Sequence, residues 1–465
     1  MNMARASAKR PISVANRLAC AVSCTMRTSI GPARPIDILL RPFLDFAELQ
    51  AAAGILLLAC TAAALSWANL YPEHYAAFFA QTLTVSLGGA GLSKPLLLWI
   101  NDGLMSVFFF VVGLEIKREI IEGELSELRQ ATLPIAAALG GMIVPAGIYL
   151  ALNGDGPGRS GWGIPMATDI AFAVGILALL GSRVPIGLKI FLTALAIVDD
   201  IGAVVVIAIF YTDHVSTAAL LGGGACLLLS VLANGLRLRH PALYFFIGLA
   251  VWFFFLKSGV HATIAAILMA FTIPAKTRID VEAFKKSTSD LLKVMSPKAG
   301  VFMDERNSAA VHSIEASCEA VMAPAQRLEH ALHSLVVFVV MPVFALANAG
   351  VRIELGSLLD LLSDNIALGT ILGLFLGKQI GIFLFSWLCI KSGIGRMPAS
   401  VTLGGIYGTA VLGGIGFTMS LFIAGLALPD PALLQAAKAG ILAGSLISGL
   451  LGYAVLRLTL KGAPE

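Results

Sequence analysis

Asp199 and Asp200 stand side by side in residues 192–210, a run that is otherwise apolar. An ionised carboxylate at the centre of a bilayer costs roughly 2.5–3.5 kcal/mol on insertion scales, and this run carries two. Adjacent carboxylates resist joint ionisation, so such a pair holds a proton or a cation rather than two bare charges. Hard cations such as Na⁺ or Li⁺ prefer oxygen ligands. The chemistry indicated is cation binding or proton relay.

Three more groups share this unusual setting. Pro165, Thr168 and Asp169 fall within five residues of an apolar segment at 163–175. That composition makes a poor uninterrupted membrane helix. A break there would expose backbone groups and the partial charges of helix ends, with Asp169 set to neutralise facing N-termini and Thr168 to ligate a small cation. The alternative is that Thr168 caps a kink and Asp169 faces the cytosol. Lys378 lies within another apolar run, about a dozen residues from Lys391 and too deep to snorkel. A buried ammonium requires a carboxylate or carbonyl partner, and Asp199 or Asp200 is the obvious one; otherwise its stem lines an interfacial cavity. Gly413, Gly414 and Gly416, followed by Thr418, read as a helix interruption more than as a packing face.

At the ends of two further apolar runs stand Glu115, Lys117, Arg118 and Glu119, and Arg327, Glu329, His330 and His333. Coupled carboxylates and histidines of this kind titrate near neutral pH. Taken alone, they read first as a solvated interfacial rim, ahead of a titrating cluster.

The elements that must carry these residues are membrane helices. Of 465 residues 58% are hydrophobic and 13% charged, against about 25% charged in soluble domains. A net charge of +4 with no basic aromatic stripe excludes nucleic acid as a partner. The six cysteines form no Cys-x-x-Cys metal spacing. No His-Glu-x-x-His, Gly-x-Ser-x-Gly or Walker A motif occurs, so enzyme chemistry and a bound cofactor are not expected. Apolar runs of about 20 residues recur near 48–69, 96–116, 131–152, 162–181, 186–211, 216–234, 241–256, 259–274, 328–350, 365–391, 400–427 and 433–457. They are continuous rather than alternating, and lipid demands internally satisfied backbones, which predicts an all-α integral membrane protein of about twelve spans.

Positive charge follows alternate spans: Lys117, Arg118 and Arg129; Arg183 and Lys189; Arg237 and Arg239; a cluster over 276–327; then Lys391 and Arg396. The intervening loops hold Asp213 and His214, or Glu354, Asp360 and Asp364 beside Arg352. By the positive-inside rule both termini are cytoplasmic. The layout is thus a basic N-terminal tail over 1–46, spans over 47–274, a polar cytoplasmic insertion over 275–327, spans over 328–458 and a short tail over 459–465. The N-terminal tail reads as a disordered extension, with a transit peptide as the alternative, and no secretory signal precedes the first span. The insertion reads as a linker or small appendage.

Several segments together resemble the NhaA family of bacterial Na⁺/H⁺ antiporters. They are Ala167-Thr-Asp-Ile-Ala-Phe-Ala, Ala194-Leu-Ala-Ile-Val-Asp-Asp-Ile-Gly-Ala, Phe108-Phe-Phe-Val-Val-Gly-Leu-Glu-Ile-Lys-Arg-Glu, Lys257-Ser-Gly-Val-His-Ala-Thr and Gly414-Ile-Gly-Phe-Thr-Met-Ser. The resemblance runs from about 47 to 458 and skips 275–322. It implies two inverted three-helix repeats, the third to fifth and tenth to twelfth spans, with the fourth and eleventh discontinuous and crossing near the midplane. It assigns Asp199 and Asp200 to the cation pair, Asp169 and Thr168 to the crossing, and Lys378 to the lysine paired with the aspartates. Glu115, Lys117, Arg118, Glu119, Arg327, Glu329, His330 and His333 fall on a pH-sensing entrance. Na⁺ or Li⁺ and protons would be the cargo, the bacterial inner membrane the location, and a homodimer the assembly. Gln379, Ser334 and Gln326 depart from the family's habit of Pro, Pro and a basic residue. The rival functions are a passive cation channel and a non-transporting membrane sensor or scaffold.

Overall fold

The computed structural model describes residues 52–87, 90–212, 215–277, 279–295, 304–352, 363–398 and 401–460. The tail over 1–46, all but the first two residues of the C-terminal tail, and Asp213, His214, Glu354 and Asp360 lie outside them.

The chain opens with α1 (Ala52–Leu70) and a short α2 (Pro72–Ala80), followed by an antiparallel hairpin of β1 (Thr82–Leu87) and β2 (Ala90–Pro95). The hairpin corrects the expectation of helices alone. Thr82-Leu-Thr-Val-Ser-Leu alternates, and Gly88-Gly89 follows it, which is a hairpin signal that an argument from continuous apolar runs passes over. Thr84 and Ser93 face each other across the ladder and share a 2.8 Å hydrogen bond.

Next come α3 (Leu96–Ile121) and α4 (Leu128–Asn153). A 3-10 helix (Arg159–Met166) leads through extended residues 167–169 into α5 (Ile170–Leu179). Helices α6 (Ile186–Phe210), α7 (Thr217–Gly235), α8 (Pro241–Ser258) and α9 (Ala262–Thr272) follow. The insertion folds as two helices, α10 (Val281–Val294) and α11 (Glu305–Val321), N-capped by Asp280 and Asp304. The chain then runs through α12 (Pro324–Asn348), α13 (Asn365–Lys391), α14 (Leu403–Leu412), α15 (Phe417–Ala427) and α16 (Pro431–Thr459).

Among the described residues, ten helices are long and apolar enough to cross a membrane, and α14 with α15, bent by 45° at their break, makes an eleventh. The stretch expected as the eighth span is the 11-residue α9. At about 1.5 Å per residue it falls well short of the roughly 30 Å hydrocarbon core. Large apolar side chains such as Leu221, Phe245 and Leu450 are exposed, as expected of surfaces that meet lipid rather than water.

Proline and glycine shape the interior. Pro342 has no N–H to give, and a π-turn over Val336–Val340 accommodates it within α12. A second π-turn, Gly373–Gly377, ends immediately before Lys378. Gly140 of α4 and Gly381 of α13 touch backbone to backbone, because a Cβ on either would run into the other's carbonyl oxygen. Asn153 Nδ2 also donates to the Asn365 carbonyl at 2.8 Å, tying the end of α4 to the start of α13. Burial pushes the Tyr211 hydroxyl up to about 12, so it remains a donor, to Ser160 O at 2.7 Å, and pins the 3-10 helix to the end of α6.

Candidate functional site: a carboxylate cluster between two helix breaks

Two interruptions lie against each other. Residues 167–169 separate the 3-10 helix from α5, and residues 413–416 separate α14 from α15. The backbone groups each break leaves open are partly satisfied by the other. Asp169 N donates to Ile415 O at 2.6 Å, Thr168 Oγ1 to Gly413 O at 2.9 Å, and Ser420 Oγ to Ile164 O at 2.7 Å. Gly416 stands at the N-cap of α15.

Asp169 occupies the space between two helix N-termini. Its Oδ1 accepts from Phe172 N of α5 at 3.1 Å, and its Oδ2 from Thr418 N of α15 at 3.1 Å and from the Thr418 hydroxyl. Each helix end carries about half a positive charge, so the two together balance one carboxylate. The alternative of an Asp169 facing the cytosol does not hold, since the residue is fully buried.

Helix α13 delivers Lys378 to this place. The ammonium, also fully buried, donates to Asp199 Oδ2 at 2.6 Å and to Thr168 Oγ1 at 2.9 Å. Of the two partners expected for Lys378, the structure selects Asp199. Removing either member of a buried ion pair strands the other charge, at about 3–5 kcal/mol. The Thr168 side chain and backbone also act on the Asp199 carboxylate, but among the described residues no hydrogen bond of normal geometry reaches Asp199 Oδ1. Asp200, 3% exposed, takes no part in these bonds, and the charges of Asp199, Glu115 and Asp169 all act on it. With Asp169 balanced by the helix ends and Asp199 by Lys378, one carboxylate's charge is left over. A bound monocation or a proton would cancel it.

The residues at the ends of α3 and α12 only partly converge. Arg118 reaches Glu329, Glu119 at 3.2 Å and Glu115 at 3.8 Å, and the charge of His333 also acts on Glu329. Lys117 is not in this cluster. Its ammonium donates to the carbonyls of Phe271, at 2.7 Å, and Ile273, closing the end of α9. Arg327 turns the other way and pairs with Glu319 of the insertion at 2.7 Å. His330 is exposed. Next to the cluster a cavity of about 540 Å³ is lined by Glu119, Glu122, Glu124, Glu127, Lys189 and Thr193. Thr193 precedes Asp199 by six residues of α6, about 9 Å of helix rise.

Sequence reading missed Ser445, whose hydroxyl accepts from Phe417 N at 3.1 Å. A serine among small residues in α16 gives only a weak signal, because the backbone it serves lies 28 residues away.

The family model for Na⁺/H⁺ antiporter 1 matches residues 44–456. A protein of Oleidesulfovibrio alaskensis named Na(+)/H(+) antiporter NhaA is 51% identical over 434 residues, which is 92% of this chain and 96% of that one. A protein of the same name from Koribacter versatilis is 47% identical, over 91% and 93% of the two chains. Na(+)/H(+) antiporter NhaA 1 of Saccharophagus degradans is 46% identical, over 89% and 91%. A site of buried carboxylates between broken helices, carried on a chain matched nearly end to end, makes this protein a member of the NhaA family of Na⁺/H⁺ antiporters, a transporter and not an enzyme.

Proposed function

We propose that the protein exchanges Na⁺, or Li⁺, for protons across the bacterial inner membrane by alternating access, with both termini cytoplasmic and the short α9, which runs from the Tyr211 end of α6 to the Lys117 end of α3, completing a twelfth crossing. The observation that carries the reading is the buried Lys378–Asp199–Asp200 group beside the helix breaks, in which Lys378 binds Asp199 and Asp200 has no ion-pair partner among the described residues. Cation and protons compete for Asp199 and Asp200, so each excludes the other and coupling follows from occupancy alone. A site with both carboxylates ionised, Lys378 charged and Na⁺ bound is neutral. The same site with both carboxylates protonated carries +1. Exchange of one cation for two protons therefore moves one net charge, and the cycle is electrogenic. No cofactor enters this reading.

The pH-sensing entrance is assigned to the Arg118–Glu329 cluster with Glu115, Glu119 and His333, and the acidic cavity beside it is the cytoplasmic approach. The order long helix, broken helix, long helix occurs twice, as α4 to α6 and as α13 to α16. This supports two inverted three-helix repeats whose broken members cross near the midplane. A homodimer in the bilayer belongs to the same expectation.

Everted vesicles energised by respiration test the proposal. Na⁺ and Li⁺ should collapse the pH gradient, K⁺ should not, and Asp200→Asn should abolish the response. Normal exchange by the Asp200→Asn protein would sink the mechanism. Cation flux far above transporter rates with no proton counter-movement would establish a channel instead.

A further inference from the structure

Helix α16 carries Ser445 and Ser448 one turn apart on the side that meets the break between α14 and α15. Both are buried, Ser445 at 7% exposure and Ser448 at 0%. Helix α15 begins with a glycine at its N-cap, so the N-cap residue itself supplies no side-chain acceptor. Its first two N–H groups are taken from outside instead. Ser445 Oγ accepts from Phe417 N at 3.1 Å, and Asp169 Oδ2 accepts from Thr418 N at 3.1 Å. Two side chains from different helices share the cap of this one helix, and only one of them is charged. Ser448 Oγ also lies against the break, at Gly414, yet forms no hydrogen bond among the described residues.

We propose that Ser445 is a positioning residue for cation binding: by holding the Phe417 N–H it leaves the Asp169 carboxylate to Thr418 and to the first turn of α5, and so keeps Thr168 in place beside Lys378 and Asp199. The inference rests on the exchange function proposed above. A buried N–H that loses its acceptor seeks another, and the acceptor at hand is Asp169, which already serves the neighbouring N–H. Drawing that carboxylate further onto α15 shifts the peptide that carries Thr168. The Thr168 hydroxyl accepts from Lys378 at 2.9 Å, so the change reaches the ammonium and its 2.6 Å bond to Asp199. The effect belongs on cation affinity, because no moving part and no cargo ligand is removed.

The test is ²²Na⁺ binding to the purified full chain, together with Na⁺-driven exchange in proteoliposomes, for the wild type and for Ser445→Ala, Ser445→Cys, Ser445→Thr and Ser448→Ala. Ser445→Ala should raise the Na⁺ concentration for half-saturation by about fivefold, the size of one lost helix cap, with the maximal rate within about twofold of wild type. Ser445→Cys keeps the volume with a weaker acceptor and should move the same way, which keeps the test alive should the alanine protein fail to fold. Ser445→Thr should restore wild-type affinity. Ser448→Ala, equally buried but holding no backbone group, should leave it unchanged. Unaltered half-saturation in both Ser445→Ala and Ser445→Cys, or an equal shift in Ser448→Ala, would overturn the positioning role. Failure of the wild type itself to bind Na⁺ at any pH would instead overturn the exchange function on which it depends.

Discussion

Asp199 and Asp200 are chemically identical neighbours with different obligations. Asp199 compensates a fully buried ammonium, whereas Asp200 has no ion-pair partner among the described residues and sits in the field of other carboxylates, with Lys378 acting on it only at a distance. Neutralising them should therefore part function from stability. Asp200→Asn should lose exchange and nearly keep its melting temperature, since the change breaks no ion pair and no hydrogen bond among the described residues. Asp199→Asn should lose exchange and also destabilise the protein by about 3–5 kcal/mol, the cost of leaving Lys378 buried and unpaired. Thermal unfolding of the two variants in detergent, compared with wild type, reads this difference directly. Equal melting temperatures would mean that the Lys378–Asp199 bond contributes nothing to the fold. Thr168→Val removes both the acceptor for Lys378 and the donor to Gly413 O, and should cost about 1–3 kcal/mol of stability.

The helices themselves were legible because lipid permits little else: long apolar runs must be helices, and charges inside them stand out. Asp169, Asp199, Asp200 and Lys378 were found by their cost. What escaped notice carries no such cost. The hairpin is short, Ser445 is one small residue among many, and the length of α9 depends on its starting only after the His261 N-cap and stopping at Thr272. Lys117 and Arg327 belong to the entrance only by the family resemblance, and direction around a helix sends them to other partners. Close approach of α4 and α13 was likewise hidden, because glycines 241 residues apart give no joint signal. It can be tested. Gly140→Ala places a Cβ against Gly381 O and the Phe385 ring, forcing the two helices apart, and should cost 2 kcal/mol or more (about the upper range of overpacking). Gly425→Ala, with nothing within 4 Å of the added carbon, should be neutral. The insertion is tied to the start of α12 by the Glu319–Arg327 pair, with side chains 62% and 35% exposed. Exposed pairs contribute about 0–1 kcal/mol, so Glu319→Gln should shift half-saturation for Na⁺ by less than about fivefold, measured in the same proteoliposomes.

Seen as one machine, the protein turns a carboxylate pair into a coupling device only if protons and cation truly exclude each other, and that has a quantitative signature. Where n protons must leave before Na⁺ binds, the logarithm of the half-saturating Na⁺ concentration falls by n for each unit of pH, until the pair is fully deprotonated. The sign is fixed: acid weakens Na⁺ binding and alkali strengthens it. Between about pH 6.5 and 8.5, spanning the histidine range, a slope near −2 at the acid end would mean both aspartates release protons, and a slope near −1 a single proton. A flat line would eliminate competition and, with it, the mechanism. The same count sets the response to voltage. If two protons exchange for one cation, one net charge moves per cycle, and a potential of about 100 mV supplies about 2.3 kcal/mol. With no pH gradient, proteoliposomes clamped at that potential should then build a Na⁺ gradient of about fiftyfold. A slope of −1 must come with no gradient at all, because a one-for-one exchange moves no net charge. The two measurements are independent, and they must agree on n.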